Sequence, residues 1–332
     1  MRETRGAETG GRIQPVPATN PSIGVVIVNW NGWRYTLDAL ASLERAHYGD
    51  WTLFVVDNAS SDDSIDRLRD VSPRLRLIRN TANLGFAGGC NAGIAAARTD
   101  GMEAVFLLNN DAAVRPDTLD ALVAAHACEP AAVLGAVVRY ADGGALQFFG
   151  SRTAPGTGAP EWFHADADAG ELDRALIPSD FVFGAALFAP MQLFDRVGPF
   201  DERFFLTYEE TDWCYRARSL GHPCFIVRDA VVDHLGSASL GAATSPLQAY
   251  FLQRNRLLFW EKHVGARRLL RGARSDLRWL ARGFAGDARA LMRGRAIAPA
   301  RAALFAAWRD YLLRRFGDCP AGVRRLRTPS GA

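Results

Sequence analysis

Four short apolar runs that each end on Asn or Asp constrain this chain more than any other feature. "IGVVIVNW" (23–30) ends at Asn29, with Asn31 close behind, and "WTLFVVDN" (51–58) ends at Asp57 and Asn58. "RLRLIRN" (74–80) ends at Asn80, with Asn83 following, and "AVFLLNND" (104–111) ends at Asn109, Asn110 and Asp111. The run Ala104–Leu108 suits a strand covered on both faces of a parallel sheet, whose side chains need no polar partners, whereas the third run alternates. Helical patterns separate the four runs. Residues 35–46 carry Leu37, Leu40 and Leu43 on one face, 62–71 start with acids where the helix dipole favours them, and 115–127 place Pro116 in a first turn. Such alternation predicts an α/β fold with a mainly parallel sheet flanked by helices.

In an open sheet of this class the carboxyl ends of the strands lie along one edge, and ligands enter the crevice where strand order reverses. Any single Asn or Asp also reads as a turn former. Four in register are suited to ribose hydroxyls, a base edge and a metal-bound diphosphate.

The glycine-rich segment "NLGFAGGCNAG" (83–93) narrows the choice of ligand. It does not fit G-x-G-x-x-G, and it follows the third strand rather than the first, which disfavours a dinucleotide fold. It also lacks the Lys-Ser/Thr pair of a P-loop. Gly85, Gly88 and Gly89 permit close backbone approach, either to a ligand at a helix N-terminus or to the sheet beneath the helix.

Beyond residue 140 the pattern weakens through a Gly/Pro-rich stretch to about 170, expected to form loops or a lid. A strand is expected at 181–190, a helix at 209–221 closed by Gly221, and a strand at 224–234 ending on His234. The remaining hundred residues read as helical. The chain divides accordingly into a flexible tail (1–21), a catalytic domain (22–240) and a basic amphipathic helical region (241–332).

Residues 1–20 lack the apolar core of a secretory signal, and no window reaches the ~18 apolar residues needed to cross a bilayer. Five cysteines without a C-x-x-C pair argue against a disulfide framework or a zinc site, so a reducing cytoplasm is expected. The net charge of +3 is unevenly spread. Residues 254–327 hold 19 basic and five acidic residues, a balance of 19 − 5 = +14, leaving 3 − 14 = −11 for the rest. All but Lys262 of those cations are arginines.

Taken together, "VVIVNWNG", "VVDNASSDDS", "NLGFAGGCNAG", "FLLNNDA", "FDERFFLTYEETDWCYRAR" and "DHLGSAS" resemble the inverting family 2 glycosyltransferases of the GT-A (Rossmann-like) fold, and most of all their rhamnosyltransferase-like branch. The resemblance spans roughly residues 22–262. It implies a nucleoside diphosphate sugar donor, with rhamnose as the first expectation, and a divalent cation, Mg²⁺ or Mn²⁺. The D-x-D-like motif falls on Asn109-Asn110-Asp111, so an amide replaces the first acid. Asp111 and His234 are then the metal ligands. Asp57 would read the base edge, Asn29 and Asn58 would lie near base or ribose, and Asn109 and Asn110 near ribose or metal-bound water. Asn83, Gly85, Phe86 and Asn91 would lie beside diphosphate and sugar, with Ser237 and Ser239 also reaching the diphosphate.

By the same resemblance the base that deprotonates the acceptor hydroxyl falls on Glu210, where the family has Asp, with Asp212 as second candidate. Acids crowded at 209–212 should raise at least one pKa, which suits a base working near neutrality. Without the resemblance they read as acids complementing a helix dipole.

Family members that build cell-surface polysaccharide use glycan or lipid-linked acceptors. The arginine-rich C-terminal helices read equally as a peripheral inner-membrane contact and as a stripe packed on the catalytic domain. Nucleic acid is not expected, because the rest of the chain is acidic and carries no binding motif. Two other functions fit the scaffold: a non-catalytic nucleotide-sugar or glycan binder, and a sugar nucleotidyltransferase. "NWNGWRY" after the first strand lacks the basic glycine loop expected of the latter.

Overall fold

A computed structural model describes residues 20–154, 160–163, 168–236, 245–267, 270, 274, 278 and 299–326. The N-terminal tail to residue 19, Ser237, Ser239 and most of the arginine-rich segment between 268 and 298 lie outside the described residues.

The four runs become β1 (Ile23–Asn29), β2 (Trp51–Asp57), β3 (Leu75–Arg79) and β4 (Ala104–Leu108). β1 lies between β2 and β4 and β2 pairs with β3, all in parallel register. The helices α1 (Trp33–Glu44), α2 (Ser64–Leu68), α3 (Gly85–Thr99) and α4 (Thr118–Cys128) alternate with them. All five side chains of β4 are buried, as a strand covered on both faces requires.

The glycines of α3 are largely a packing device. A Cβ on Gly89 would lie 2.7 Å from Val28 of β1, and one on Gly93 would run into Val26. The helix therefore sits on the sheet at a distance that only glycine permits.

Past β5 (Ala112–Val114), the strand β6 (Val133–Tyr140) is a buried element that the sequence reading passed over. The weakly patterned stretch holds β7 (Leu146–Phe148) and a separate hairpin of β8 (Ser151–Thr153) and β9 (Pro160–Trp162). The strand expected at 181–190 is split. β10 (Leu176–Ser179) precedes it, residues 180–185 form a bend, and only β11 (Ala186–Pro190) pairs. β11 runs antiparallel between β4 and β6, and β12 (Cys224–His234) then lies parallel to β6. The sheet order is β10-β12-β6-β11-β4-β1-β2-β3, so the mainly parallel sheet carries an antiparallel strand at its switch point.

Two further helices follow β11: α5 (Met191–Val197) and α6 (Glu209–Ser219). C-terminally, α7 (Pro246–Phe259) starts at Ser245, whose hydroxyl accepts the Gln248 N–H at 3.1 Å. The helices α8 (Pro299–Leu312) and α9 (Ala321–Arg324) come after it. Their buried apolar residues pack on one another and on Phe204 and Phe205. Phe205 packs with Tyr250, Phe251, Ala303, Ala307, Cys319 and Val323, and Phe204 with Leu258, Phe259 and Trp260. On the same helices Leu252 and Leu312 remain exposed, as does Leu313 just after α8. No helix among the described residues is long and apolar enough to cross a membrane.

Candidate active site

One cavity of about 430 Å³ opens along the carboxyl ends of the strands. Its lining includes Asn58, Asn83, Gly85, Phe86, Asn109, Asn110, Asp111, Glu210 and His234, residues singled out from sequence on six separate elements or the turns after them.

Asp111 and His234 meet because β5 and β12 pair with Ala112 opposite His234. His234 Nε2 is 3.1 Å from Asp111 Oδ1 and 3.2 Å from Asn109 Nδ2. Its Nδ1 lies 2.8 Å from Gln147 Oε1, an oxygen that only accepts, so the neutral ring carries its proton there and presents a lone pair at Nε2. A lone pair and a carboxylate oxygen at this separation need a shared positive charge, a proton or a metal ion. Oxygen from Asp111 and imidazole nitrogen from His234 form a donor set that fits Mg²⁺ or, better, Mn²⁺. No group of three or more His, Cys, Asp or Glu suited to a metal occurs among the described residues. A cation here would draw its other ligands from substrate and water.

The turns after β2 and β3 are tied to the start of α3 by a short chain of amides. Asn80 Nδ2 donates to Asn58 Oδ1 (2.7 Å), Asn58 Nδ2 donates to the Gly85 carbonyl (2.8 Å), and Asn83 Oδ1 accepts the Gly85 N–H (2.8 Å). Gly85 sits at φ +72°, and a Cβ there would lie 2.6 Å from the Phe205 ring.

Three expected ligand-binding residues do not line this cavity. Asn29 and Asp57 are fully buried beside Val28 and Asn58, which do. Asn29 Nδ2 donates to Asp57 Oδ1 at 3.0 Å, and Asp57 Oδ2 accepts the Ser60 N–H at 3.0 Å, so the pair fixes the turn after β2. Asn91 faces elsewhere. Its amide donates to the Phe200 carbonyl and to Glu202, and its oxygen accepts the Phe200 N–H, strapping α3 to the turn before α6.

Glu209 and Glu210 begin α6, directly after Tyr208 in left-handed conformation at φ +73°. Both line the cavity, at 4% and 9% exposure, and each leaves Oε2 without a hydrogen-bond partner. Burial pushes the Glu210 carboxyl up to about 7, against the pull of the backbone N–H groups of Glu210 and Thr211. Burial and the neighbouring Glu210 charge push Glu209 well above the carboxylate range. The result is one carboxyl held protonated beside one that ionises near neutrality.

Asp212, the second candidate for the base, does not line the cavity. It is wholly buried, 2.5 Å from Lys262 Nζ, 2.7 Å from His263 Nε2 and 3.0 Å from Arg216 Nε. Although burial alone would raise its pKa, the bonds from His263 and Lys262 hold it below the usual range. The crowded acids thus titrate in opposite directions.

The sequence reading missed much of the cavity wall. Gln147 and Trp162 come from the stretch that it left as loops, Phe181 and Phe183 from the bend where it expected a strand, and Gln248, Phe251 and Arg324 from the C-terminal helices. Trp162 and Phe183 lie 5.1 Å apart, and Phe183 meets the His234 ring edge-on at 5.9 Å. Pro160, Trp162 and Phe163 offered a weak signal, an aromatic pair within a Gly/Pro stretch.

Residues 24–188 match the family model described as Glycosyl transferase family 2. Among curated proteins the chain is similar to a dTDP-rhamnosyl transferase, RfbF, of Shigella flexneri, at 25% identity over 74% of this chain and 81% of that protein. It is also 27% identical to an N-acetylglucosaminyl-diphospho-decaprenol L-rhamnosyltransferase of Mycobacterium tuberculosis, over 78% and 89% of the two chains. Among solved structures, the mannosyltransferase PcManGT of Pyrobaculum calidifontis, in complex with GDP-Man and Mn²⁺, superposes with a TM-score of 0.59. That match covers 91% of this chain and 90% of that one at 17% identity, a likeness of fold.

Proposed function

This chain is a glycosyltransferase carrying a family 2 domain over residues 24–188, and from that premise we propose that it moves a sugar, rhamnose first, from a nucleoside diphosphate donor to a hydroxyl of a glycan or lipid-linked acceptor, with inversion. The observation that carries this proposal is the single cavity shared by Asp111, His234 and Glu210. The two rhamnosyltransferase relatives support the choice of sugar, and the decaprenol-linked substrate in one of their names supports a lipid-linked acceptor. A peripheral contact on the cytoplasmic face of the membrane would bring the enzyme to such an acceptor.

Asp111 and His234 would hold a divalent cation, which supplies charge neutralisation for the departing diphosphate. Asn58, Asn83 and the Gly85 backbone would line the donor side, with Asn109 and Asn110 next to the cation. Glu210 is the base. A carboxyl ionising at about 7 is half deprotonated at neutral pH and basic enough to take a proton from a hydroxyl as that hydroxyl attacks the anomeric carbon. Glu209, held protonated, would keep a second negative charge away from it. The aromatic wall of Trp162 and Phe183 would face a sugar ring and keep water from the reaction centre.

Turnover of dTDP-rhamnose, UDP-N-acetylglucosamine and GDP-mannose tests this, with Mn²⁺ or Mg²⁺ and an N-acetylglucosaminyl-diphosphoprenol acceptor. Transfer from dTDP-rhamnose, lost in Glu210→Gln and stopped by EDTA, is expected. Full activity of Glu210→Gln would remove the base, and activity indifferent to EDTA would remove the cation.

A further inference from the structure

The segment between Arg203 and Tyr208 delivers Glu209 and Glu210 to the cavity in an unfavourable backbone conformation. Phe205, Thr207 and Tyr208 have φ of +64°, +67° and +73°, and none is glycine. Each such residue costs on the order of 1 kcal/mol or more unless its surroundings impose it. Here the surroundings come from α7. Asn255 is wholly buried, and its amide nitrogen lies 2.8 Å from the Phe204 carbonyl, 2.7 Å from that of Leu206 and 2.8 Å from that of Thr207. Its amide oxygen accepts from Arg254 Nε at 3.0 Å, which fixes the orientation of the amide. Arg254, also wholly buried, donates to the carbonyls of Phe204 (3.0 Å) and Gly317 (2.6 Å).

Two consecutive polar side chains buried in a helix are costly unless every polar atom has a use. These two spend their donors on main-chain carbonyls that the left-handed residues turn away from regular structure. Phe205 is held separately: its ring stacks on Phe251 at 5.6 Å, and its carbonyl accepts the Ala87 N–H from the first turn of α3 at 3.3 Å.

We propose that Asn255, oriented by Arg254, is a positioning residue for Glu210: it locks the 204–207 carbonyls so that α6 begins where its second residue faces the acceptor hydroxyl. The C-terminal helical region is then part of the catalytic apparatus. This proposal rests on Glu210 being the base. Because Asn255 holds the carbonyls of residues 204, 206 and 207 and leaves the contact between Phe205 and Ala87 of α3 untouched, its loss should act on kcat and spare donor binding.

The test measures kcat, donor KM and thermal melting for Asn255→Ala, for Asn255→Ser, which keeps one donor, and for Asn255→Ala with Thr207→Gly. The donor is whichever of dTDP-rhamnose, UDP-N-acetylglucosamine and GDP-mannose the parent protein turns over. Asn255→Ala should lower kcat by about tenfold to a hundredfold, the loss expected from misplacing a reacting group by an ångström, with donor KM within about twofold. Asn255→Ser should fall between it and the parent. Glycine at 207, free to adopt positive φ, should restore part of the lost kcat. Wild-type kcat in Asn255→Ala, or a fall in which donor KM changes in step and glycine rescues nothing, overturns the clamp. Should Asn255→Ala fail to fold, Asn255→Ser decides by the same split. Glu210→Gln separates the two ideas: if it is inactive while Asn255→Ala is normal, the clamp alone fails, and if it is active, the base assignment fails first.

Discussion

Asp111 and His234 face each other across 3.1 Å because the strand pairing that sets Ala112 opposite His234 brings a turn after β4 to the end of β12. Hydrogen-bonding of the Leu235 N–H to the Asp111 carbonyl, at 3.0 Å, locks the same junction. The site is therefore built by sheet register, and the side chains need only small adjustment to share a cation.

His234→Ala should accordingly weaken activation by Mn²⁺ at least tenfold while leaving the fold intact, since the ring's neighbours Gln147 and Asn109 can turn to water. Asp111→Asn should be more severe, because it removes the only carboxylate of the pair. Activity against Mn²⁺ concentration, with melting curves as control, measures both. An unchanged Mn²⁺ midpoint in the two variants would exclude these residues as ligands.

Glu210→Gln should separate activity from stability. The folded carboxyl ionises at about 7, against 4.5 for its ordinary value. The native state therefore binds more protons than the unfolded state between those values, and stability falls as pH rises through that window. The difference of about 2.5 units corresponds to at most ~3 kcal/mol. Glutamine removes this penalty, so the variant should melt higher than the parent at pH 8 and about equally at pH 4. In the parent, kcat should rise with pH through a midpoint near 7.

The α/β class, the polar residues at four strand ends and the helix carrying Glu210 were legible because each rests on local pattern: apolar runs, turn residues and acids at a helix start. What escaped depends on long-range pairing. β6 is as apolar as β4 but ends on Arg139 and Tyr140, without the amide or carboxylate that marked the other strands. Asn29 and Asp57 were read at the right strand ends, yet the sequence does not say that they bond to each other rather than face the cavity. Arg254 and Asn255 read as part of a basic helix surface. Their burial follows only from the left-handed turn that they cover, and that turn lacks the glycines that usually announce one.

Gly85→Ala should lower the melting temperature and activity together. Alanine is strained at φ +72°, and its Cβ would press on the Phe205 ring and carbonyl, which are held from the other side by Phe251. A cost of about 2 to 4 kcal/mol is expected from strain plus overpacking. Gly101→Ala is the control, with positive φ but open space around it, and should cost only about 1 kcal/mol. Chemical denaturation of the two variants measures the difference, and equal losses would mean that contact with Phe205 is irrelevant.

Asp212→Asn should behave unlike Glu210→Gln, although the two acids lie two residues apart. Asp212 is enclosed by Lys262, His263 and Arg216, and Lys262 is shared with Asp201 at 2.7 Å. Removing the charge leaves the partly buried Lys262 and Arg216 facing a neutral amide, at about 3 kcal/mol, the low end for a buried pair. The folded pKa of Asp212 is depressed by these partners, so its contribution is present above the ordinary carboxylate pKa and lost as pH falls through the lower folded value. The variant should therefore lose stability at pH 7 and converge on the parent in strong acid, the reverse of the gain expected from Glu210→Gln at pH 8. Denaturation midpoints of both variants against pH measure this, and a stable Asp212→Asn protein with abolished turnover would return Asp212 to the catalytic machinery.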